Sequence, residues 1–238
     1  MVDYLYKKYP EATSEKLHMP KSVVVCAPAL AFVAVKNLRL HKALLMNNVE
    51  LSKAIDSDVP ILLNLTPEDI VNHGWKYRPP KVLSDVFESI VGAVLIDSGY
   101  DYDRSAAVVE HVMTDLLALV SPFVKLDPIT SLYRWIAKSG CLLKPKFSCV
   151  SLFCTSESSL QSSSRKPHGK AVNVSISLHD HPILVCPVQC ADSSVAKSIA
   201  SERALECLKD PESNLYIGTI CVCRLAALEK VGCSRAER

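Results

Sequence analysis

From Val172 to Leu178 apolar and polar residues alternate without a break, with Val172, Val174, Ile176 and Leu178 set against Asn173, Ser175 and Ser177. A period of two places all four apolar side chains on one face of a strand and excludes a helix there. Lys146 to Phe153 and Ile183 to Val188 read as partner strands, and His179-Asp180-His181-Pro182 reads as the turn between the second and third. A helix opening at Asp127-Pro128 precedes them, with Leu132, Trp135 and Ile136 on one face and Ser139-Gly140 as its stop. Ser193 is expected to cap a closing helix, Val195 to Leu208, whose Ile199, Ala200, Ala204 and Leu208 face inward. The expected order is therefore α-β-β-β-α, with the serine-rich stretch 155–165 as an insertion between the first two strands.

Nothing of this kind occurs earlier in the chain. Residues 1–120 read as helical throughout: a short first helix ended by Lys7-Lys8-Tyr9-Pro10, then segments near 14–25, 28–46 and 48–56, then Thr66-Pro67-Glu68-Asp69 as a helix start with proline in the first turn. Composition changes with the period. Residues 1–126 hold 13 basic and 15 acidic groups (net −2) and residues 127–238 hold 14 and 10 (net +4), while nine of the ten cysteines lie at or after Cys141. The seam falls in Ser121-Pro122-Phe123-Val124-Lys125-Leu126-Asp127-Pro128, giving domains over 1–122 and 127–224 and a tail over 225–238. The overall charge of +2, with 22% charged residues, gives no electrostatic case for nucleic-acid binding by the protein as a whole. The opening Met1-Val2-Asp3-Tyr4 lacks the pattern of a secretion signal, so the thiols are expected to be reduced and the protein intracellular, cytoplasmic or nuclear. The apolar run Val23 to Val35 is too short to span a membrane and contains Pro28, so it is expected to be core and no membrane partner is expected.

The best-defined helix runs from about Val82 to Ile96, with Leu83, Val86, Phe87, Ile90, Val91 and Val94 recurring at helical spacing. Asp85 and Glu88, three apart, project together from its other side, with Ser89 and Gly92 leaving space around them. Two such carboxylates suit a hard divalent cation that keeps several of its waters. On an amphipathic helix the same pair is also compatible with an ordinary solvated face.

The run from Pro79 to Gly99, PPKVLSDVFESIVGAVLIDSG, resembles the second signature block of the ribonuclease III catalytic domain, and Leu5–Thr13 and Leu40-His41-Lys42 fit the same family. The likeness covers residues 1 to about 120 and is strongest to the last ribonuclease III domain of fungal Dicer-like proteins. It implies an all-α domain in which Asp85 and Glu88 are two of four acidic ligands of a Mg²⁺ or Mn²⁺ site, with Lys81 the basic residue beside it. It also implies hydrolysis of double-stranded RNA by a metal-activated water and a second ribonuclease III domain as partner, intramolecular or in a homodimer. The other two acids belong to a block of the form E-R-L-E-x-L-G-D that this sequence does not contain, so the resemblance implies an incomplete acidic set.

The second half, ending Ala196-Lys197-Ser198-Ile199-Ala200, resembles a double-stranded RNA-binding domain, which reads A-form shape and 2′-hydroxyls. By that resemblance Lys197 points at phosphate, and His168 and Lys170, in Pro167-His168-Gly169-Lys170, reach a minor groove. Ser193 and Ser194 stand where the family carries lysines, which implies weak affinity. Fungal Dicer-like proteins extend this domain with a structural zinc site, which transfers to Cys141, His179, Cys221 and Cys223, with Cys149 and His181 as alternative ligands. Two other readings stay open: a non-catalytic RNA-binding or regulatory protein, and a zinc-stabilised protein-interaction module.

Overall fold

The computed structural model describes residues 1–152, 171–189 and 192–223. The expected serine-rich insertion, His168, Lys170 and the tail beyond 223 lie outside them. The chain divides into two compact units, Met1–Lys125 and Leu126–Arg238.

The first unit is helical: α1 (Val2–Lys8), α2 (Ser14–Val24), α3 (Ala27–Phe32), α4 (Val49–Asn64), α5 (Pro67–His73), α6 (Lys81–Asp97), α7 (Tyr102–Val112) and α8 (Thr114–Leu119). The apolar run 23–35 is the centre of this unit. Residues Ala29 to Val35 are each at most 5% exposed, and they pack with Leu5, Ile55, Leu62, Ile70, Leu83, Phe87, Leu116 and Leu117. One helix over 28–46 is not what forms. α3 widens into a π-helical turn at Val33–Asn37, and Arg39 then adopts a left-handed backbone (φ 54°) that breaks the helix. Conversely α4 runs past the expected 56 to Asn64 despite Pro60. Ile55 and Leu62 are buried on its inner face, and that packing outweighs the carbonyl bond proline cannot make. Among the described residues no single helix is long and apolar enough to cross a membrane.

α5 begins as its residues dictate. Thr66 Oγ1 accepts from the Asp69 amide (3.2 Å) while Asp69 Oδ2 accepts from the Thr66 amide (2.9 Å), a reciprocal cap that satisfies two otherwise unpaired donors. The Asp69 carboxyl is held below its ordinary value by that backbone amide and by the Thr66 hydroxyl.

The second unit has the order α9 (Pro128–Lys138), β1 (Lys146–Leu152), β2 (Ala171–Leu178), β3 (His181–Gln189), α10 (Ser193–Lys209) and α11 (Ile217–Ile220). The three strands form one antiparallel sheet in the order β1-β2-β3. Register pairs Phe147 with Ile176 and Cys149 with Val174 between β1 and β2, and Ile176 with Leu184 and Val174 with Cys186 between β2 and β3. Val172, Val174, Ile176 and Leu178 are all buried, each 5% exposed or less, so the alternating run faces the helices through its apolar side. Against them lie Leu132 and Ile136 of α9 and Ala196, Ala200, Ala204 and Leu208 of α10. The small residues let α10 approach the sheet closely.

The cap of α10 differs from expectation. Asp192, not Ser193, is the N-cap, its Oδ1 accepting from the amides of Ser194 (2.6 Å) and Val195 (3.2 Å). A carboxylate outcompetes a hydroxyl here because it also meets the positive end of the helix dipole.

Candidate functional sites

The two candidate sites lie in different units and differ in chemistry. On α6 the Asp85 side chain is half-buried and Glu88 is exposed, both on the outward side. Lys81 Nζ sits 2.5 Å from Asp85 Oδ1, one helical turn back, and the Ser89 hydroxyl donates to the Asp85 carbonyl at 2.8 Å. Lys81 is raised above its ordinary value by that hydrogen bond and by the carboxylate's charge. No atom lies within 4 Å of where a Cβ on Gly92 would stand, so the face beyond Glu88 is open. Among the described residues no third His, Cys, Asp or Glu joins Asp85 and Glu88 in a metal-sized group. Burial on α6 is uneven. Leu83 and Phe87 are buried, whereas Val86, Ile90, Val91 and Val94 are only half-buried and Ile96 is 64% exposed, so the expected apolar face forms and is fully buried only in its first half.

In the second unit Cys141, His179, Cys221 and Cys223 converge, their ligand atoms all within 4.8 Å of one another. Each arrives by a local cause. α9 stops at Ser139-Gly140: Gly140 has φ +85°, its amide donates to the Ala137 carbonyl (3.1 Å), and the Cys141 amide reaches the Ile136 carbonyl (3.4 Å). This closing motif demands a residue tolerant of left-handed backbone, and it turns Cys141 back onto the core beside Ile136. His179 occupies the tight turn between β2 and β3, where it and Asp180 have φ of 52° and 61°. A two-residue hairpin requires positive φ at both positions, a conformation that usually selects Asn or Gly. Cys221 and Cys223 follow α11, whose Ile217 and Ile220 are buried in the same core and anchor the tail. α11 depends in turn on Gly218, since a Cβ there would fall 2.5 Å from the Tyr216 ring.

Cys141 Sγ lies 3.2 Å and Cys223 Sγ 3.5 Å from His179 Nε2. In a tetrahedral zinc site with Zn–S near 2.3 Å and Zn–N near 2.05 Å, the sulfur–nitrogen edge is about 3.5 Å. The donor set and its spacing therefore fit that ion. Burial pushes the Cys141 thiol up to about 12, whereas the backbone amide of Leu142 draws Cys223 below its ordinary value. The alternative ligands stand apart from the group: Cys149 packs on the sheet's inner face and His181 opens β3 as an exposed residue.

Lys197 lies half-buried beside a cleft of about 540 Å³ that also takes in Tyr133, Phe147, Ser193 and Ser194. The Tyr133 and Phe147 rings face each other there at 6.1 Å. The Asp192 carboxylate at the head of α10 is an element the sequence reading missed. The signal was present, since Asp is as good an N-cap as Ser.

Comparison with known proteins decides the first unit. The model of the ribonuclease III domain matches residues 1–99. These residues form a ribonuclease III domain. The chain is 29% identical over 144 residues to Protein Dicer of Schizosaccharomyces pombe, covering 59% of this chain and 10% of that protein. It is 33% identical over 132 residues to Endoribonuclease Dicer homolog 2 of Arabidopsis thaliana, covering 54% and 9%. Dicer-like protein 1 of Aspergillus niger is 26% identical over 223 residues, 89% of this chain and 13% of the relative, a likeness that runs into both units. The chain thus spans about a tenth of the length of these relatives.

Proposed function

We propose that this chain is the C-terminal part of a Dicer-like ribonuclease III that acts on double-stranded RNA, pairing its catalytic domain with a zinc-extended double-stranded RNA-binding domain. The observation that carries this reading is the ribonuclease III match over 1–99 with Asp85 and Glu88 together on the outward side of α6. A bound Mg²⁺ or Mn²⁺ would supply an activated water and neutralise the leaving oxygen. Asp85 and Glu88 would hold it from one side. Lys81, one turn away, fixes the Asp85 carboxylate in place and offers a positive charge to an approaching phosphate. Pairing with a second ribonuclease III domain is supported by the C-terminal half of α6, where Ile90, Ala93, Val94 and Ile96 line a shallow apolar surface.

In the second unit the α-β-β-β-α order and the position of Lys197 support duplex-RNA binding, and the Cys₃His group supports structural zinc. The Asp192 cap and the serines that follow it favour weak RNA affinity, because an anionic cap occupies the amides that would meet a phosphate. Cys26, Cys141, Cys149, Cys207, Cys221 and Cys223 are free thiols, which suits a reducing, intracellular setting, cytoplasmic or nuclear.

With two carboxylates at the site, this chain is expected to bind long duplex RNA without cutting it. Placing a segment that carries E-R-L-E-x-L-G-D ahead of Met1 is expected to bring Mg²⁺-dependent cleavage, which Asp85→Asn and Glu88→Gln abolish. Cleavage that persists in that double variant, or no cleavage with the segment in place, would refute the reading.

A further inference from the structure

The geometry points to the Cys141, His179, Cys221 and Cys223 group as an oxidation-sensitive clasp, in which a peroxide links Cys223 to Cys141 and frees the metal while the fold stays closed. The release of zinc rests on the metal reading above. The sulfur chemistry rests on the convergence of three thiols alone.

Access sets the order of events. Cys141 and Cys221 are 6% and 7% exposed, whereas Cys223 is only half-buried and meets a small solvent oxidant first. Its thiolate attacks one peroxide oxygen, the O–O bond breaks, hydroxide leaves, and Cys223 becomes a sulfenic acid. A second thiolate then attacks the sulfenic sulfur and expels hydroxide. In sum two thiolates lose two electrons, hydrogen peroxide gains them, and one disulfide and two hydroxides result.

Chain geometry selects the second thiolate. A bond between Cys221 and Cys223 would close a small ring across the single residue Val222, which leaves little freedom to meet the dihedral a disulfide prefers. Cys141 approaches from another element, and its sulfur is within 4.8 Å of the others. With Cys141 and Cys223 joined, a bound zinc would be left with only Cys221 and His179, half of a tetrahedral set, and would be released. The bridge closes the same long loop the metal closed, so oxidation and chelation have opposite consequences: both remove zinc, and only chelation opens the clasp.

The test treats the full chain, first assayed for zinc content, with equimolar hydrogen peroxide. Zinc release is followed with a colorimetric chelator, and trypsin digestion is run without reduction. The expected result is a linked pair of peptides, residues 139–146 and 210–224, whose fragmentation places the bond on Cys223 and leaves Cys221 open to alkylation, formed in step with about one zinc released per bridge. The urea midpoint of the oxidised chain should stay close to that of the zinc form, and dithiothreitol with zinc should restore the starting state. Cys207→Ser, outside the group, should respond as the parent does. Zinc retained with thiols intact, or disulfides that map to other cysteines, would overturn the clasp and leave the metal reading standing. A chain isolated without zinc, and unable to bind it when added, would instead refute the metal reading, and formation of the 139–146 to 210–224 link would then decide the sulfur chemistry by itself.

Discussion

Removing zinc should unfasten the second unit by an amount the structure allows to be worked out. The metal group joins Cys141 to Cys223, 82 positions along the chain, through His179 in between. Treated as a cross-link, closing a loop of that length removes about 4.5 kcal/mol of chain entropy from the unfolded state. Small domains are stable by about 5–15 kcal/mol, so this is a large share of what the second unit has. With an m value of about 1.5 kcal/mol/M, the urea midpoint should fall by about 3 M in a strong chelator. The assay is built into the sequence, which has two tryptophans, one per unit: Trp75 beside α5 and Trp135 on α9. In a Trp75→Phe variant, emission reports Trp135, which packs against the core that Cys141 and Cys221 complete. In a Trp135→Phe variant it reports the first unit, whose midpoint should not move. If Trp135 gives the same midpoint with zinc and with chelator, after metal analysis confirms that zinc has left, the group is not a structural staple.

Two further outcomes follow from the helix caps. Ser193→Lys with Ser194→Lys should tighten binding of duplex RNA and steepen its salt dependence, by a slope of about 0.9 for each phosphate newly contacted, measured by titrating binding against potassium chloride; an unchanged slope would place the head of α10 away from the RNA. Asp69 has a folded-state pKa below its ordinary 3.8, first through the Thr66 amide. Its contribution to stability is therefore present above the ordinary value and lost as pH falls through the depressed folded value, so the stability gap between the parent and Asp69→Ala should narrow as pH falls below about 4. A gap that is constant across that range would mean the cap does not depend on the charge.

What the sequence made legible was whatever a local rule decides. Strand β2 follows from strict alternation, α5 from Thr66-Pro67-x-Asp69, and the end of α9 from Ser139-Gly140, and each of these was readable because the competing conformations fail within a few residues. The Cys141, His179, Cys221 and Cys223 group is legible only through a family resemblance, since no spacing rule links Cys141 to a turn 38 residues on and to a tail beyond that. Their convergence is a property of the packed unit, produced by α9, the hairpin and α11 sharing one core. The misreadings have the same origin. One helix over 28–46 is consistent with the apolar pattern, yet burying Ala29 to Val35 on all sides removes the amphipathic constraint that would hold a regular helix in phase, and the backbone widens and stops at Arg39.

The apolar face of α6 illustrates how far periodicity reaches. Leu83, Val86, Phe87, Ile90, Val91 and Val94 sit at helical spacing, and periodicity alone assigns all six to one buried stripe. In the folded unit only Leu83 and Phe87 are buried, while Ile96 and Ala93 add further apolar surface outside the stripe. An apolar stripe at helical spacing means that a face favours leaving water, and it does not say whether the same chain or another one covers it. In α6 burial lessens after the carboxylates: Leu83 and Phe87 are buried, Val91 is only partly buried against the same core, and Ile90, Ala93, Val94 and Ile96 line a shallow apolar surface. On the proposed reading, an apolar surface that begins beside the candidate metal ligands is where a second ribonuclease III domain would have to sit to hold an RNA strand across both.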